Sequence, residues 1–497
     1  MMDPAARTVE EVSTDVLDTG RAGGLVMRGA VLRLAGYGAG GLLAAISAIL
    51  LTRHLGKVGF GQYATIVALA TLVTQLTEGG LTSMATRDFA ISTPERKERL
   101  IGDRLGLQIV TTLIAVAICW AFALLAGYGQ ARIWGTLAAA LGLGLVMIQM
   151  TVAVPLTASL RFAATSGLEL LRQALLVAFT VTLVLLGAGL LPLLAALVPS
   201  SVAALAGTCF LVRREVRLRP RFDAHAWLAL VTPALVLSLS SGVATIYAFT
   251  TQILTSLVAS PVQTGLFAAS LRVFAVIASI PGLMVVSALP LLARAARDDA
   301  DRLGFALQGL FEVALIAGVG VGLMLVVGAK PIIDVIGGPA FAGAVAPLRI
   351  EGIAVLGTCL TPVWSTGLLA LHRHAAQLAC NLAGLLMIVG LTLGLAPSLG
   401  ARGSALATVA GEWTVALALL VFLVRSNRQL APRALRIAPR VLLACGMAFA
   451  VLLLPISALA QLCLAVAVYA AMIVLLRALP REVLELLPAG LARALRA

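Results

Sequence analysis

Fourteen times along its 497 residues the chain runs apolar for about twenty residues and is then broken by charge, glycine or proline. The first run begins near residue 28 and the last ends near Leu476. A helix rises about 1.5 Å per residue, so roughly 20 apolar residues cover the ~30 Å of hydrocarbon in a bilayer. Lipid offers no partner to a backbone N–H or C=O, which leaves helices or closed barrels, and the short alternating segments of barrel strands are absent. The pattern predicts an all-α polytopic membrane protein with about 14 transmembrane helices. With 61% hydrophobic and only 12% charged residues, the chain is too apolar for a set of soluble domains.

Charge orders these runs. Residues 1–27 mix Asp3, Glu10, Glu11, Asp15 and Asp18 with Arg7 and Arg21 and lack an apolar stretch, which predicts a disordered cytoplasmic tail and not a signal peptide. Six runs then fill 28–213, a basic linker spans 214–225, and six more runs fill 226–424. A second linker covers 425–436, two further helices cover 437–476, and a cytoplasmic tail covers 477–497. With the amino terminus inside, 28 of the 36 Lys and Arg residues fall in inside segments. Outside segments hold Arg53, Lys57, Arg132, Lys330, Arg349 and Arg402, and only Arg33 and Arg272 fall within spans. That alternation obeys the positive-inside rule and puts both termini in the cytoplasm, with the chain in the inner membrane. The formal charge of +14 is therefore read as topology. No single basic patch with interleaved aromatics calls for a nucleic-acid partner.

Reactive constellations are missing. No outside loop exceeds about a dozen residues, so no extramembrane domain is left to carry an active site. The chain contains no GxSxG, HExxH or GxxxxGK[ST]. Its six cysteines lie inside apolar runs without a CxxC, and His372 and His374 point to different faces of a helix, so neither a disulfide framework nor a metal pair is expected. Glycines 56, 59 and 61 follow a membrane helix and not a strand, which argues for a turn and against a phosphate loop. The expectation is a protein with no enzymatic activity, no metal and no cofactor.

A repeat is more informative. Residues 51–64 (LTRHLGKVGFGQYA) are echoed at 254–268 (LTSLVASPVQTGLFA), with Gly61, Gln62, Tyr63 and Ala64 answered by Gly265, Leu266, Phe267 and Ala268. Residues 77–81 are answered by 279–283. The offset is six spans, an even number, so the two copies run parallel and are related by an axis along the membrane normal. Repeats of this kind hold substrate between two halves near the midplane.

The LTRHLG and FGQYA turn, the TEGGLTSMATRD segment at 77–88 and the GLFAASLRVFAVIASIPG segment from Gly265 resemble the polysaccharide (oligosaccharide-lipid) flippases. So do IIDVIGGPAFAGAVAPLRI at 332–350, the GARGSA run at 400–405 and Glu412. These flippases form one branch of the multidrug, oligosaccharidyl-lipid and polysaccharide exporter superfamily. The resemblance covers most of 28–425. It departs at Glu78, where aspartate is the usual residue, and at Glu351, where an apolar or small residue is expected. It implies two pseudo-symmetric six-helix bundles forming a V around a cavity lined mainly by spans 1, 2, 7 and 8, with two C-terminal helices appended. It further implies alternating access that moves a polyprenyl-pyrophosphate-linked oligosaccharide from the inner to the outer leaflet. The partners that follow are a lipid-linked anionic glycan, membrane lipid, H+ or Na+ as coupling ion, and glycan polymerase machinery. A drug/cation antiporter of the same superfamily is the alternative, although span 1 carries Arg33 and no carboxylate. A membrane glycan polymerase or ligase is a further alternative that the lack of a long outer loop disfavours.

Ionisable groups within a bilayer are costly and normally face a cavity or a partner. Arg272 lies about ten residues into span 8, near mid-membrane, and a guanidinium fork suits a diphosphate. A structural ion pair with a glutamate is the other reading. Arg33, about five residues into span 1, either snorkels or joins it. Thr71, Gln75, Glu78 and Thr82 form one helical stripe, and Ser238, Ser241, Thr245 and Gln252 another, placed either to bind sugar hydroxyls or to bond between helices. The substrate-binding candidates are thus Arg272, Arg33, Gln75, Glu78, Thr245 and Gln252. Glu312, Glu351 and Glu412, each roughly 14 Å into a span, are candidates for ion coupling or ion pairing. Glu169 and Arg172 are spaced for a local pair.

Overall fold

A computed structural model describes residues 22–78, 81–159, 161–232, 235–278, 300–371, 373–433 and 437–478, without the side chains of 22–37, 81, 83, 94, 229, 235–238, 240 and 300–302. The amino-terminal tail, the side chains of Arg28, Arg33 and Ser238, His372, residues 279–283 of the repeat, part of the second linker and the carboxyl-terminal tail beyond 478 lie outside the described residues. Within them every regular element is helical.

The first element, α1 (Ala22–Glu78), has 57 residues. Straight, it would reach about 85 Å, nearly three times the hydrocarbon thickness. It breaks at Gly56, whose φ of 65° and ψ of −175° suit glycine alone, into arms of residues 22–55 and 57–78. Then come α2 (Leu81–Ala90), α3 (Pro94–Leu125), α4 (Gln130–Val152), α5 (Val154–Ala158), α6 (Phe162–Leu185), α7 (Leu190–Ala195) and α8 (Leu197–Val212). The short α9 (Ala224–Val231) leads to α10 (Leu235–Val258) and α11 (Pro261–Ala278). The remainder is α12 (Ala300–Ile336), α13 (Val345–Ala370), α14 (His374–Leu399), α15 (Ala401–Ser426), α16 (Ala438–Phe449) and α17 (Ala458–Leu475).

Twelve of these segments are long and apolar enough to cross a membrane, with α7 and α8 forming one and α1 another, and Ala438–Leu453 is a shorter apolar helix. A count of fourteen requires each arm of α1 and this shorter helix to cross as well.

Helices α1, α3, α4, α6, α7 and α8 pack among themselves, as do α10 and α12 to α15. Small residues let the axes approach: a Cβ on Gly144 would meet the Thr112 methyl, and one on Gly352 would meet Val326 and the Gly322 carbonyl. Phe311 stacks on Trp364 at 5.4 Å within the second group. The last two helices lie on α12, where Tyr469 donates to the Ile316 carbonyl at 2.8 Å and its ring covers Gly320.

The two ends of this assembly differ. Among the described residues the glycines with positive φ (Gly56, Gly127, Gly187, Gly338 and Gly400) occupy tight turns at one end, here called the corner face. Hydrogen bonds tie these turns together: His54 meets the Ala188 carbonyl at 2.7 Å, and Gln263 accepts from Ala401 N at 3.0 Å. The opposite end, the basic face, carries the longer arginine-rich connections, including 213–223 between the two groups.

Candidate functional site

The two groups meet at the corner face. A Cβ on Gly61 would lie 2.8 Å from Gly265 Cα, and one on Gly265 would lie 1.7 Å from the Lys57 carbonyl oxygen, so the second arm of α1 and the start of α11 touch backbone to backbone. These are equivalent positions of the sequence repeat. Around them Phe60 packs edge-on against Phe341 at 6.4 Å, and the buried Gln252 donates to Thr65 Oγ1 at 3.1 Å. Arg53 donates to the carbonyls of Val335 at 2.7 Å and Asp334 at 3.3 Å. A cation at the C-terminal turn of α12 satisfies orphan carbonyls and complements the helix dipole.

Arg272 lies seven residues beyond Gly265 on α11, about 10 Å towards the basic face. Its side chain is exposed, and no carboxylate pairs with it among the described residues. Tyr63, from the second arm of α1, is within its electrostatic reach. A Cβ on Gly242 would lie 3.4 Å from the Leu76 side chain, which puts exposed Gln75 and half-buried Thr245 within a turn of one shared approach of α1 to α10. The hydroxyl of Thr245 donates to its own helix, at the Ser241 carbonyl.

Two stripe residues are committed elsewhere. Gln252 is 3% exposed and belongs to the seam through Thr65, although its Oε1 has no partner among the described residues. Glu78 meets Arg104 at 3.4 Å and accepts from Thr82 N at 2.7 Å, so it holds the start of α2 as well as the buried guanidinium. Arg104, counted from sequence as a loop cation, is 2% exposed. The expected Glu169–Arg172 pair is present at 3.0 Å.

The three membrane glutamates divide. Glu412 on α15 accepts from Tyr247 of α10 at 2.8 Å and from Thr358 of α13 at 2.7 Å, which joins three helices. Glu312 accepts from Gln308, whose Oε1 in turn accepts from Arg433 N. Glu351 on α13 is fully buried with neither carboxyl oxygen hydrogen-bonded among the described residues, and Ser270 of α11 is a polar neighbour. Ser270 spends its own proton on the Phe267 carbonyl. None of the three pairs with Arg272 or Arg349 among the described residues, so the ion-pair reading finds no arginine partner there. Tyr63, Thr65, Arg104, Tyr247 and Thr358 carry these contacts, and sequence reasoning missed them. Only Arg104 left a trace, as the last of the inside-segment cations at the start of a span.

Two groups of membrane-length helices, closed at one face over an exposed arginine, define a polytopic membrane protein of the two-bundle type. The chain belongs to the polysaccharide biosynthesis protein family, whose family model matches residues 26–296, more than half its length. Among curated proteins none matches in sequence. The fold is similar to that of the lipid II flippase MurJ in an inward closed conformation, with a TM-score of 0.73 at 13% identity over 89% of this chain and 98% of that one. It is also similar to a multidrug resistance MATE family transporter of the MOP superfamily. The inward-facing form of such a transporter gives a TM-score of 0.68 at 14% identity, covering 81% of this chain and 98% of that one. An outward-facing form gives 0.56 at 14% identity, covering 82% and 96%.

Proposed function

We propose that the protein flips a polyprenyl-pyrophosphate-linked oligosaccharide from the inner to the outer leaflet of the cytoplasmic membrane by alternating access. The basic face is cytoplasmic in this reading, both termini are inside, and the structure is the state closed to the outside. The better superposition on an inward-facing relative supports that orientation. The observation that carries the reading is Arg272: a permanently charged fork, exposed just beneath the closed corner face and lacking a carboxylate among the described residues. It binds the diphosphate, and Gln75 and Thr245 meet sugar hydroxyls nearby. Arg33 adds positive charge from the first arm of α1. A cationic drug has little to bind here, because Glu78 is engaged by Arg104 and Glu351 is buried.

Glu351 supplies the coupling. An ionised carboxylate buried with only a hydroxyl neighbour costs several kcal/mol, whereas the protonated acid is tolerated. The residue therefore carries a proton in this state and releases it when α11 and α13 separate. Glu412 and Glu312 are structural acceptors. The protein works without enzymatic chemistry, and glycan polymerase machinery receives its product.

The test is accumulation of lipid-linked glycan inside cells carrying Arg272→Ala or Arg272→Lys. Both variants accumulate it, the lysine one less. Normal export by both would remove Arg272 from the substrate site.

A further inference from the structure

The connection between the two helix groups is built as a strap. Residues 213–221 hold five arginines, all exposed: Arg213, Arg214, Arg217, Arg219 and Arg221. The strap is fixed along its length. Buried Val216 and half-buried Leu218 alternate with exposed Arg217 and Arg219, and Val216 joins the cluster of Ile101, Val154 and Phe89. Arg221 N donates to the Gly102 carbonyl at 2.9 Å. On the same face of α3 a Cβ on Gly106 would collide with the Arg221 carbonyl oxygen, and one on Gly102 would lie 2.8 Å from the Arg219 oxygen. Two glycines one helical turn apart thus form the seat on which the strap's backbone lies.

Seating the backbone sorts the arginines. Arg213 lies over the Phe210 ring at 4.0 Å, and Arg221 pairs with Asp103 at 3.3 Å. Glu215, the acidic residue within the run, is taken by Arg161. Arg214, Arg217 and Arg219 are left without an acidic partner among the described residues. Arg99 lies beside Asp103 on the same surface. Flanking them are exposed apolar side chains: Phe210 at 60%, Phe222 at 64% and Leu228 at 64%.

Position decides what such a surface meets. The strap leaves the membrane segment Leu190–Val212 at its last residue, and its seat is on the first turns of the Glu95–Leu125 segment. The headgroup layer adds only about 5–7 Å on each side of the hydrocarbon, so these guanidinium groups stand within it. Charge alone would serve topology. A rigid row of unpaired arginines beside exposed phenylalanines does more, because it matches a lipid phosphate above the first carbons of its chains.

We propose that the strap is a binding site for anionic phospholipid headgroups, with Arg214, Arg217 and Arg219 as the phosphate ligands and Phe222 and Leu228 as acyl-chain contacts. The bound lipid fastens the connection between the two helix groups to α3 at the basic face. The site is separate from the transported substrate, so it stands or falls independently of Arg272.

The experiment uses the full chain in detergent and measures lipid retained in native mass spectra, with phosphatidylglycerol and phosphatidylcholine as probes. The protein retains phosphatidylglycerol selectively, and added salt weakens that retention. The triple variant Arg214→Gln, Arg217→Gln, Arg219→Gln weakens it by about fivefold per arginine removed. Hydrogen exchange across 213–223 slows when phosphatidylglycerol is added to the unmodified protein and does not slow in the triple variant. Equal retention of both lipids by the unmodified protein, or retention indifferent to salt, would overturn the proposal without any variant having to fold. Unchanged retention in the triple variant would overturn it too. Protection of the strap by inorganic pyrophosphate alone, matching that by lipid, would assign a free phosphate site instead and equally defeat it.

Discussion

Replacing Gly265 by alanine tests the closure of the corner face. The new Cβ would lie 1.7 Å from the Lys57 carbonyl oxygen and 2.6 Å from its carbon, and both are backbone atoms that cannot rotate aside. Real contacts of this kind begin near 3.0 Å, so α11 and the second arm of α1 must part by at least about 1.3 Å. Because α10 ends three residues before α11 begins and moves with it, the Gln252–Thr65 hydrogen bond, 3.1 Å long, is lost as well. Overpacking costs about 1–3 kcal/mol and the lost bond about 0.5–1.5 kcal/mol, which together disfavour the closed corner by roughly 2–4 kcal/mol. At 1.4 kcal/mol per factor of ten, the balance shifts about 30- to 700-fold towards an open corner face. The helix itself gains, since alanine is about 1 kcal/mol better than glycine in a helix interior. Gly265→Ala should therefore open the corner face while leaving the melting temperature unchanged or raised. Spin labels at Val58 and Ala340, exposed on opposite sides of the closure, report the separation in a cysteine-free background. The companion Gly61→Ala places its Cβ 2.8 Å from Gly265 and needs a shift of only a few tenths of an ångström, so its effect is far smaller. Equal label distances in all three proteins would refute the assignment of this contact as the gate.

Two further outcomes follow from the buried polar groups. Arg104→Met removes the cationic partner of Glu78 and lowers stability by about 2–3 kcal/mol, less than for a fully buried pair because Glu78 is 19% exposed and keeps its bond from Thr82 N; the double variant with Glu78→Gln recovers much of it, and simple additivity in a thermal-unfolding cycle would deny the coupling. Glu351→Gln keeps shape and neutrality, so folding stability changes by less than about 1 kcal/mol while flipping in proteoliposomes loses its response to a pH gradient; a stability loss above about 3 kcal/mol would mean that the native carboxylate is charged and paired.

The helices were legible because lipid punishes every unsatisfied backbone group, and a chain that must avoid that cost writes its spans as apolar runs. The corner at Gly56 was equally visible, since a glycine-bearing turn between two such runs leaves few other conformations. Side-chain partners were not. Hydropathy and the 1.5 Å rise give the depth of a residue but not which neighbouring helix it faces. Gln252 and Glu78 sat correctly on polar stripes, yet Gln252 bonds a residue 187 positions away and Glu78 one 26 positions away. Arg53 counted as an outside-segment cation, and its acceptors on α12 lie 281 and 282 positions on. What sequence could not supply was the relative placement of packed helices, from which every one of these contacts arises.

Equivalent positions of a two-fold repeat can touch each other only close to the axis that relates them. The Gly61–Gly265 contact therefore marks the pseudo-axis, and the same offset assigns each residue of one half a counterpart in the other. Arg272 then corresponds to Ala68, which is 8% exposed, so the matching position of the first half brings no guanidinium beneath the closure. Thr65 and Gln252 correspond to Ala269 and Ile49, so the hydrogen bond that sews α1 to α10 has no equivalent on the other seam. The backbone symmetry is kept at the gate, where both halves need glycine, and abandoned one to two turns below it. Under the proposed function the fork that grips the diphosphate belongs to the second half, and parting the halves at Gly61 and Gly265 exposes the diphosphate to the far side without first breaking its contact with Arg272.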